Sequence, residues 1–237
     1  MAGIDEAVIL AGGFGTRLRG VLGDIPKPLA QVNGRPFLAW VLDALHRQGL
    51  RRVILATGFK GAEVRAALGD RWLGMALVYS QEQQPLGTGG AIAHAVRELH
   101  GDAFFVLNGD TWLALDYSAF DQRVRAAGAR FGMALAEVPD VSRYGAVCVE
   151  HGRVARFIEK GRTGRGYVNA GVYRMHKSLL STFPVATPFS FETEVLIPMA
   201  SSETIVAYEK TAGFIDIGVP DDYARAQSGF RMNEGGG

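Results

Sequence analysis

The sequence predicts an α/β fold, a mostly parallel central sheet flanked by helices with a smaller, partly antiparallel lobe. Three observations carry that expectation. Short β-branched apolar runs recur at 7–11, 53–56, 76–79 and 104–107. Apolar stripes at helical spacing lie between them. After about residue 129 the texture changes to closely spaced strand patterns broken by Gly, Pro and His-Gly turns.

In chain order, Leu38, Val41, Leu42 and Leu45 mark one face of a helix between the first two runs, and Gly49 ends it. Val64, Ala67 and Leu68 repeat this on a shorter scale. Ile92, Ala95, Val96 and Leu99 form a third stripe after a glycine-rich segment. Strand, helix and strand in this order imply parallel pairing with helices on the sheet's faces. Farther along, 132–138, 146–149, 154–158 and 168–174 read as strands, and 177–183, 191–200 and 220–229 as helices. Residues 234–237 are polar and glycine-rich, so fraying is expected there. No linker-like stretch and no repeat of 20 to 50 residues divides the chain. Residues 1–237 therefore read as one domain with two lobes, about 1–129 and about 130–237.

At 237 residues and 48% hydrophobic content, the chain can bury a sizeable core. A formal net charge of +1 with scattered Lys and Arg offers no nucleic-acid footprint and no polybasic membrane patch, so a small-molecule partner is expected. Cys148 is the single cysteine. That excludes an internal disulfide, and its place in the apolar run 146–149 suggests a buried thiol. No basic leader precedes the first apolar run and no stretch of about 20 apolar residues occurs, which points to a soluble protein of the reducing cytoplasm.

The chemistry concentrates in Leu10-Ala11-Gly12-Gly13-Phe14-Gly15-Thr16-Arg17-Leu18, followed by Pro26-Lys27-Pro28-Leu29. Glycines this dense let backbone N–H groups approach phosphate oxygens that a Cβ would obstruct. Arg17 and Lys27 add a planar fork and a compact point charge. Two common phosphate loops are ruled out. A Walker A loop needs Gly-Lys-Ser/Thr where this chain has Gly15-Thr16-Arg17, and the dinucleotide fingerprint fails because Leu18 stands at its third glycine. The five histidines are scattered, so neither a Ser-His-Asp set nor a metal spacing emerges.

On residues 12–18 and 26–29 the sequence resembles the sugar-1-phosphate nucleotidyltransferases. The resemblance continues through Leu86-Gly87-Thr88-Gly89-Gly90, Asn108-Gly109-Asp110, Tyr144-Gly145, Glu159-Lys160, Asn169-Ala170-Gly171-Val172-Tyr173 and Phe214-Ile215-Asp216-Ile217-Gly218. It implies a Rossmann-like fold, an NTP and a sugar 1-phosphate as partners, Mg²⁺ as cofactor and pyrophosphate as second product. It also implies an NTP-binding first lobe and a second lobe that holds the sugar phosphate and the second metal ligand. Transfer at the α-phosphate is an in-line displacement in which positioning and charge neutralisation dominate, and the nucleophile is already a phosphate oxygen, so no general base is needed.

Carried over residue by residue, the resemblance makes Arg17, Lys27, Asp110, Lys160 and Asp216 catalytic, with Asp110 and Asp216 holding the metal. Leu10, Ala11, Gly12, Gly13, Gly15 and Thr16 would surround the nucleotide, with Gly87, Thr88 and either Glu82 or Gln83 near the base. Asn108, Gly109, Tyr144, Gly145, Glu159, Lys160 and Asn169 would meet the sugar phosphate.

Within the family, Arg19-Gly20-Val21-Leu22-Gly23-Asp24-Ile25 replaces the common Pro-Leu-Thr segment. With Asn33-Gly34-Arg35-Pro36-Phe37-Leu38 and Pro188-Phe189-Ser190-Phe191-Glu192, it is similar to the D-glycero-α-D-manno-heptose 1-phosphate guanylyltransferases of surface-polysaccharide synthesis. That implies GTP as donor. No hexapeptide repeat follows Asp216, so a fused β-helix is not expected. Mannose 1-phosphate and N-acetylmuramate 1-phosphate enzymes are the nearest alternatives. An inactive nucleotide-sensing module and an NAD-binding oxidoreductase are alternatives from other classes. The oligomeric state stays open, a homo-oligomer included.

Overall fold

The computed structural model describes residues 3–13, 18–186, 188–202 and 204–229. The chain runs β1 (Glu6–Leu10), α1 (Arg19–Leu22), a small hairpin of β2 (Gln31–Val32) and β3 (Arg35–Pro36), then α2 (Phe37–Arg47), β4 (Arg52–Thr57) and α3 (Gly61–Leu68). It continues through β5 (Arg71–Trp72), β6 (Met75–Gln81), α4 (Gly87–Ala95), β7 (Ala103–Asn108), β8 (Thr111–Leu115) and α5 (Tyr117–Ala126). The remainder is β9 (Phe131–Val138), β10 (Ala146–Glu150), β11 (Arg153–Ile158), β12 (Gly166–His176), α6 (Ile197–Ser201), β13 (Val206–Tyr208), β14 (Thr211–Asp216) and α7 (Pro220–Gly229).

Ten strands form one sheet in the order β10-β11-β13-β9-β12-β7-β1-β4-β6-β5. The strands β7, β1, β4 and β6 are parallel, as the alternating strand and helix patterns require. β12 runs antiparallel to both β7 and β9 and joins the parallel half to the rest. The fold is thus Rossmann-like α/β with an antiparallel extension. β14 pairs antiparallel with β8 in a separate two-stranded sheet that lies against β9 and β12.

Both faces of the parallel half are buried, which explains why its strands read as unbroken apolar runs. On one face Ala7, Ile9, Val53 and Leu55 pack with Leu38, Leu42 and Leu45 of α2. On the other, Val8, Ile54 and Ala56 pack with Ile92 and Ala95 of α4. Each fully buried Val, Leu or Ile among them contributes about 1.5–3 kcal/mol.

The differences from the sequence reading have local causes. The expected helix over 191–200 forms, but with a π turn, Glu192–Leu196, leading into the short α6, whose Pro198 cannot donate to the ladder. Lys177–Thr182 is a 3₁₀ turn rather than an α-helix. The helix α5 is an addition. Its start is held by the Asp116 side chain, which accepts from Ala119 N at 2.9 Å. Cys148 is half-buried rather than buried. Trp40 and Trp72 pack against the core and donate to the Val32 carbonyl and Asp43 at 3.0 and 2.8 Å. The tail 234–237 lies outside the described residues.

Candidate active site

A cavity of about 500 Å³ opens at the carboxyl ends of β1, β4, β6 and β7, where parallel sheets place their ligands. Leu10, Ala11, Gly12 and Gly13 line it from β1, with Lys27 and Pro28 beside them. Asn108, Gly109 and Asp110 come from the end of β7, Glu82 from the end of β6, and Gly87 and Thr88 from the first turn of α4. Phe14, Gly15, Thr16 and Arg17 lie outside the described residues, so the expectations for Gly15, Thr16 and Arg17 are not placed.

Two of the glycines are explained by packing between loops. Ala11 N donates to the Ala56 carbonyl at 2.8 Å and Gly109 N to the Leu10 carbonyl at 2.9 Å. A Cβ on Gly109 would stand 2.5 Å from that Leu10 oxygen, and one on Gly12 would stand 2.9 Å from Gly58 N. Gly13, by contrast, faces open space. Only a chain without side chains here brings three strand ends this close together.

The segment before α4 is shaped by a residue that sequence reasoning missed. Phe189 N donates to the Leu86 carbonyl at 3.0 Å and receives Gly89 N on its own carbonyl at 3.1 Å. A Cβ on Gly89 would enter the Phe189 ring, so the Gly-x-Gly spacing is the one sequence signal of this docking. Thr88 accepts from Phe191 N at 2.9 Å, which turns its residue toward the cavity wall. Glu82 accepts from Leu86 N at 3.1 Å. Burial pushes its carboxyl above the usual range, and the Leu86 hydrogen bond and nearby His94 oppose that shift. Gln83 is exposed and outside the cavity lining. Pro85, Ala91 and Gly218 complete the wall.

At the opposite end, Lys27 Nζ forms an ion pair with Asp110 Oδ2, and Thr111 Oγ1 donates to Asp110 Oδ1 at 3.3 Å. Asp216, remote in sequence, ends β14 opposite Thr111. Ile217 N donates to the Asp110 carbonyl at 2.9 Å, and Gly218 N to Asp216 Oδ1 at 2.6 Å. The β8–β14 pairing therefore brings the chain at Asp216 against the chain at Asp110. No group of three or more His, Cys, Asp or Glu side chains suited to a metal forms among the described residues.

The expected sugar-phosphate residues divide. Asn108 lines the cavity with its side chain against Gly171. Asn169 is engaged within its own bulge, donating to the Tyr173 hydroxyl at 2.8 Å and accepting from Gly171 N at 3.0 Å. Tyr144 and Gly145 sit in a turn against the end of β11, where a Cβ on Gly145 would stand 2.8 Å from the Ile158 carbonyl. Glu159 and Lys160 follow directly and are exposed, outside the cavity lining. Burial and then the charge of Asp216 push the Tyr144 hydroxyl above its usual value, against the pull of Arg225.

A family model described as nucleotidyl transferase matches residues 6–232. The chain belongs to the nucleotidyl transferase family. Two curated members named D-glycero-α-D-manno-heptose 1-phosphate guanylyltransferase, from Aneurinibacillus thermoaerophilus and Campylobacter jejuni, are each 39% identical to it. They align over 94% and 92% of this chain and 96% of their own. The crystal structure of HddC from Yersinia pseudotuberculosis complexed with GMP-PN superposes with a TM-score of 0.84 at 37% identity, covering 95% of this chain and 99% of that one. For this member of the family, no helix among the described residues is long and apolar enough to cross a membrane.

Proposed function

We propose that this nucleotidyl transferase joins GMP from GTP to D-glycero-α-D-manno-heptose 1-phosphate, giving GDP-heptose and pyrophosphate. The observation that carries the reading is the cleft itself. A glycine-lined turn, Lys27 and Asp110 line it at the carboxyl ends of the parallel strands, and the residue after Asp216 is hydrogen-bonded to the Asp110 backbone. Similarity over nearly the full length of the heptose 1-phosphate enzymes supports the choice of sugar and base.

In the reaction, a phosphate oxygen of the sugar 1-phosphate attacks the α-phosphorus of GTP. The new O–P bond forms as the bond to the bridging oxygen of pyrophosphate breaks, and that oxygen takes the electron pair. Backbone N–H groups of the turn after β1 and the Lys27 ammonium hold the triphosphate. Glu82 and the start of α4 meet the base, where a carboxylate acceptor suits guanine N1–H and N2–H₂. Lys160, with Glu159, Tyr144 and Gly145, binds the sugar phosphate.

Carboxylate oxygens completed by substrate phosphate suit Mg²⁺, and Asp110 with Asp216, whose backbones the β8–β14 pairing brings near each other, would hold it. When bound, the ion neutralises charge on the phosphates. The test is pyrophosphate release from GTP, ATP, CTP and UTP against a panel of sugar 1-phosphates. GTP with the heptose 1-phosphate is expected to react fastest. Preference for mannose 1-phosphate or another base would replace the assigned substrates, and no release with any pair would overturn the activity.

A further inference from the structure

The first turn of α7 carries two neighbouring aspartates that behave differently. Asp221 is exposed, where an acidic residue at a helix start is stabilised at little cost. Asp222 is turned inward and only 3% exposed. Its carboxylate pairs with Arg143 through one oxygen and with Arg225 through the other, and the Tyr144 hydroxyl lies 3.5 Å from it. Burying a charge costs several kcal/mol that pairing only offsets, and an apolar side chain of like volume would serve stability as well or better. The exposed aspartate already serves the helix start. The inward one is therefore explained by what it holds.

What it holds is the turn that meets the proposed sugar phosphate. Arg143 Nη2 also donates to the Tyr144 hydroxyl at 2.6 Å, and the Tyr144 ring meets Phe214 of β14 edge-on at 5.6 Å. The same turn is tied to the loop carrying Lys160, since Gly161 N donates to the Ser142 carbonyl at 2.9 Å and Val141 N to that of Gly164 at 3.0 Å. On its other side, α7 follows β14 and Asp216 within a few residues. Tyr223, next to Asp222, donates to the Gln31 carbonyl at 2.7 Å and anchors the helix to the first half of the chain. One buried carboxylate thus links the loop of Tyr144, Gly145 and Lys160 to the strand that presents Asp216.

We propose that Asp222 is a positioning residue: by holding Arg143 and the Tyr144 hydroxyl against β14, it sets the sugar-1-phosphate end of the cleft relative to Asp216 without touching substrate. The inference rests on the reading that Tyr144, Gly145 and Lys160 bind the sugar phosphate. Asp222→Asn keeps the shape but can accept through one oxygen only, so its amide N–H₂ group faces a guanidinium.

The experiment measures kcat and both KM values, together with thermal unfolding, for Asp222→Asn, Arg143→Ala, Arg143→Lys and the double variant. Asp222→Asn is expected to raise KM for the sugar 1-phosphate by about tenfold, with KM for GTP within about twofold, the size of effect that losing a charge-assisted hydrogen bond gives. Arg143→Ala should match it, Arg143→Lys should recover part of the loss, and the double variant should be no worse than either single one. Arg143 is partly exposed, so its variants keep the test decisive should Asp222→Asn fail to fold. Both KM values moving together, or a lowered melting temperature with neither KM moved, would overturn the positioning role. Lys160→Ala separates the two ideas. If it leaves the sugar KM unmoved, the sugar-site reading fails; if it raises that KM while the Asp222 and Arg143 variants do not, only the positioning role fails.

Discussion

At the scale of single residues, the site depends on charges whose partners are visible. Asp110 faces the cavity, paired with Lys27, and changing it to Asn removes one negative charge where a divalent ion would bind. Asp110→Asn should lower kcat more than about a hundredfold at saturating Mg²⁺, with the circular dichroism spectrum unchanged. Turnover within about tenfold of wild type would remove Asp110 from that role. Lys160→Ala should raise KM for the sugar phosphate far more than KM for GTP, because an exposed ammonium can act on substrate as a point charge. Glu82 carries a pH signature. Its carboxyl is raised by burial, so the ionised form costs stability at neutral pH, and that cost is relieved as pH falls through the raised value. The acceptor for guanine is lost over the same fall. KM for GTP should therefore rise at a higher pH than an ordinary glutamate would give, and Glu82→Gln should abolish that limb in a KM–pH profile.

At the scale of elements, two contacts decide whether segments sit where the site needs them. The start of α4 is seated on Phe189, whose ring is buried against Phe183 at 5.9 Å and cannot swing away. Gly89→Ala should thus raise KM for GTP, since overpacking of this kind costs about 1–3 kcal/mol. Adding Phe189→Ala should recover part of that loss, and a lack of recovery would place the effect elsewhere. The helix α5 is joined to β12 by the buried pair Asp121–Arg174 at 2.9 Å, with Arg125 on the second carboxylate oxygen at 2.6 Å. Asp121→Ala leaves Arg174 buried without its partner and should cost about 3–5 kcal/mol in a denaturant titration. The helix escaped sequence reading because the buried Asp121 interrupts its apolar face of Tyr117, Phe120 and Val124. Polar residues inside a core spoil the period that marks a helix.

At the scale of the whole molecule, one ten-stranded sheet runs through both halves of the chain, with β12 hydrogen-bonded to β7 on one side and β9 on the other. Calorimetry should accordingly record a single cooperative transition, and two resolved transitions would show lobes that fold independently. The sequence by itself determined the parallel half. Its strands and the apolar stripes of α2, α3 and α4 follow from periods of two and 3.6, which only near neighbours need to obey. It also determined the family, because each of the motifs that mark it is a short contiguous block. Tertiary structure alone decided that Asp216 stands beside Asp110, that Phe189 seats the start of α4, and that Asp222 gathers Arg143, Arg225 and Tyr144. It also sent the side chain of Asn169 into its own strand rather than outward. Local patterning states which face of an element is apolar. Which distant faces and side chains meet is settled by the order and direction in which strands pair, a property no short stretch of sequence carries.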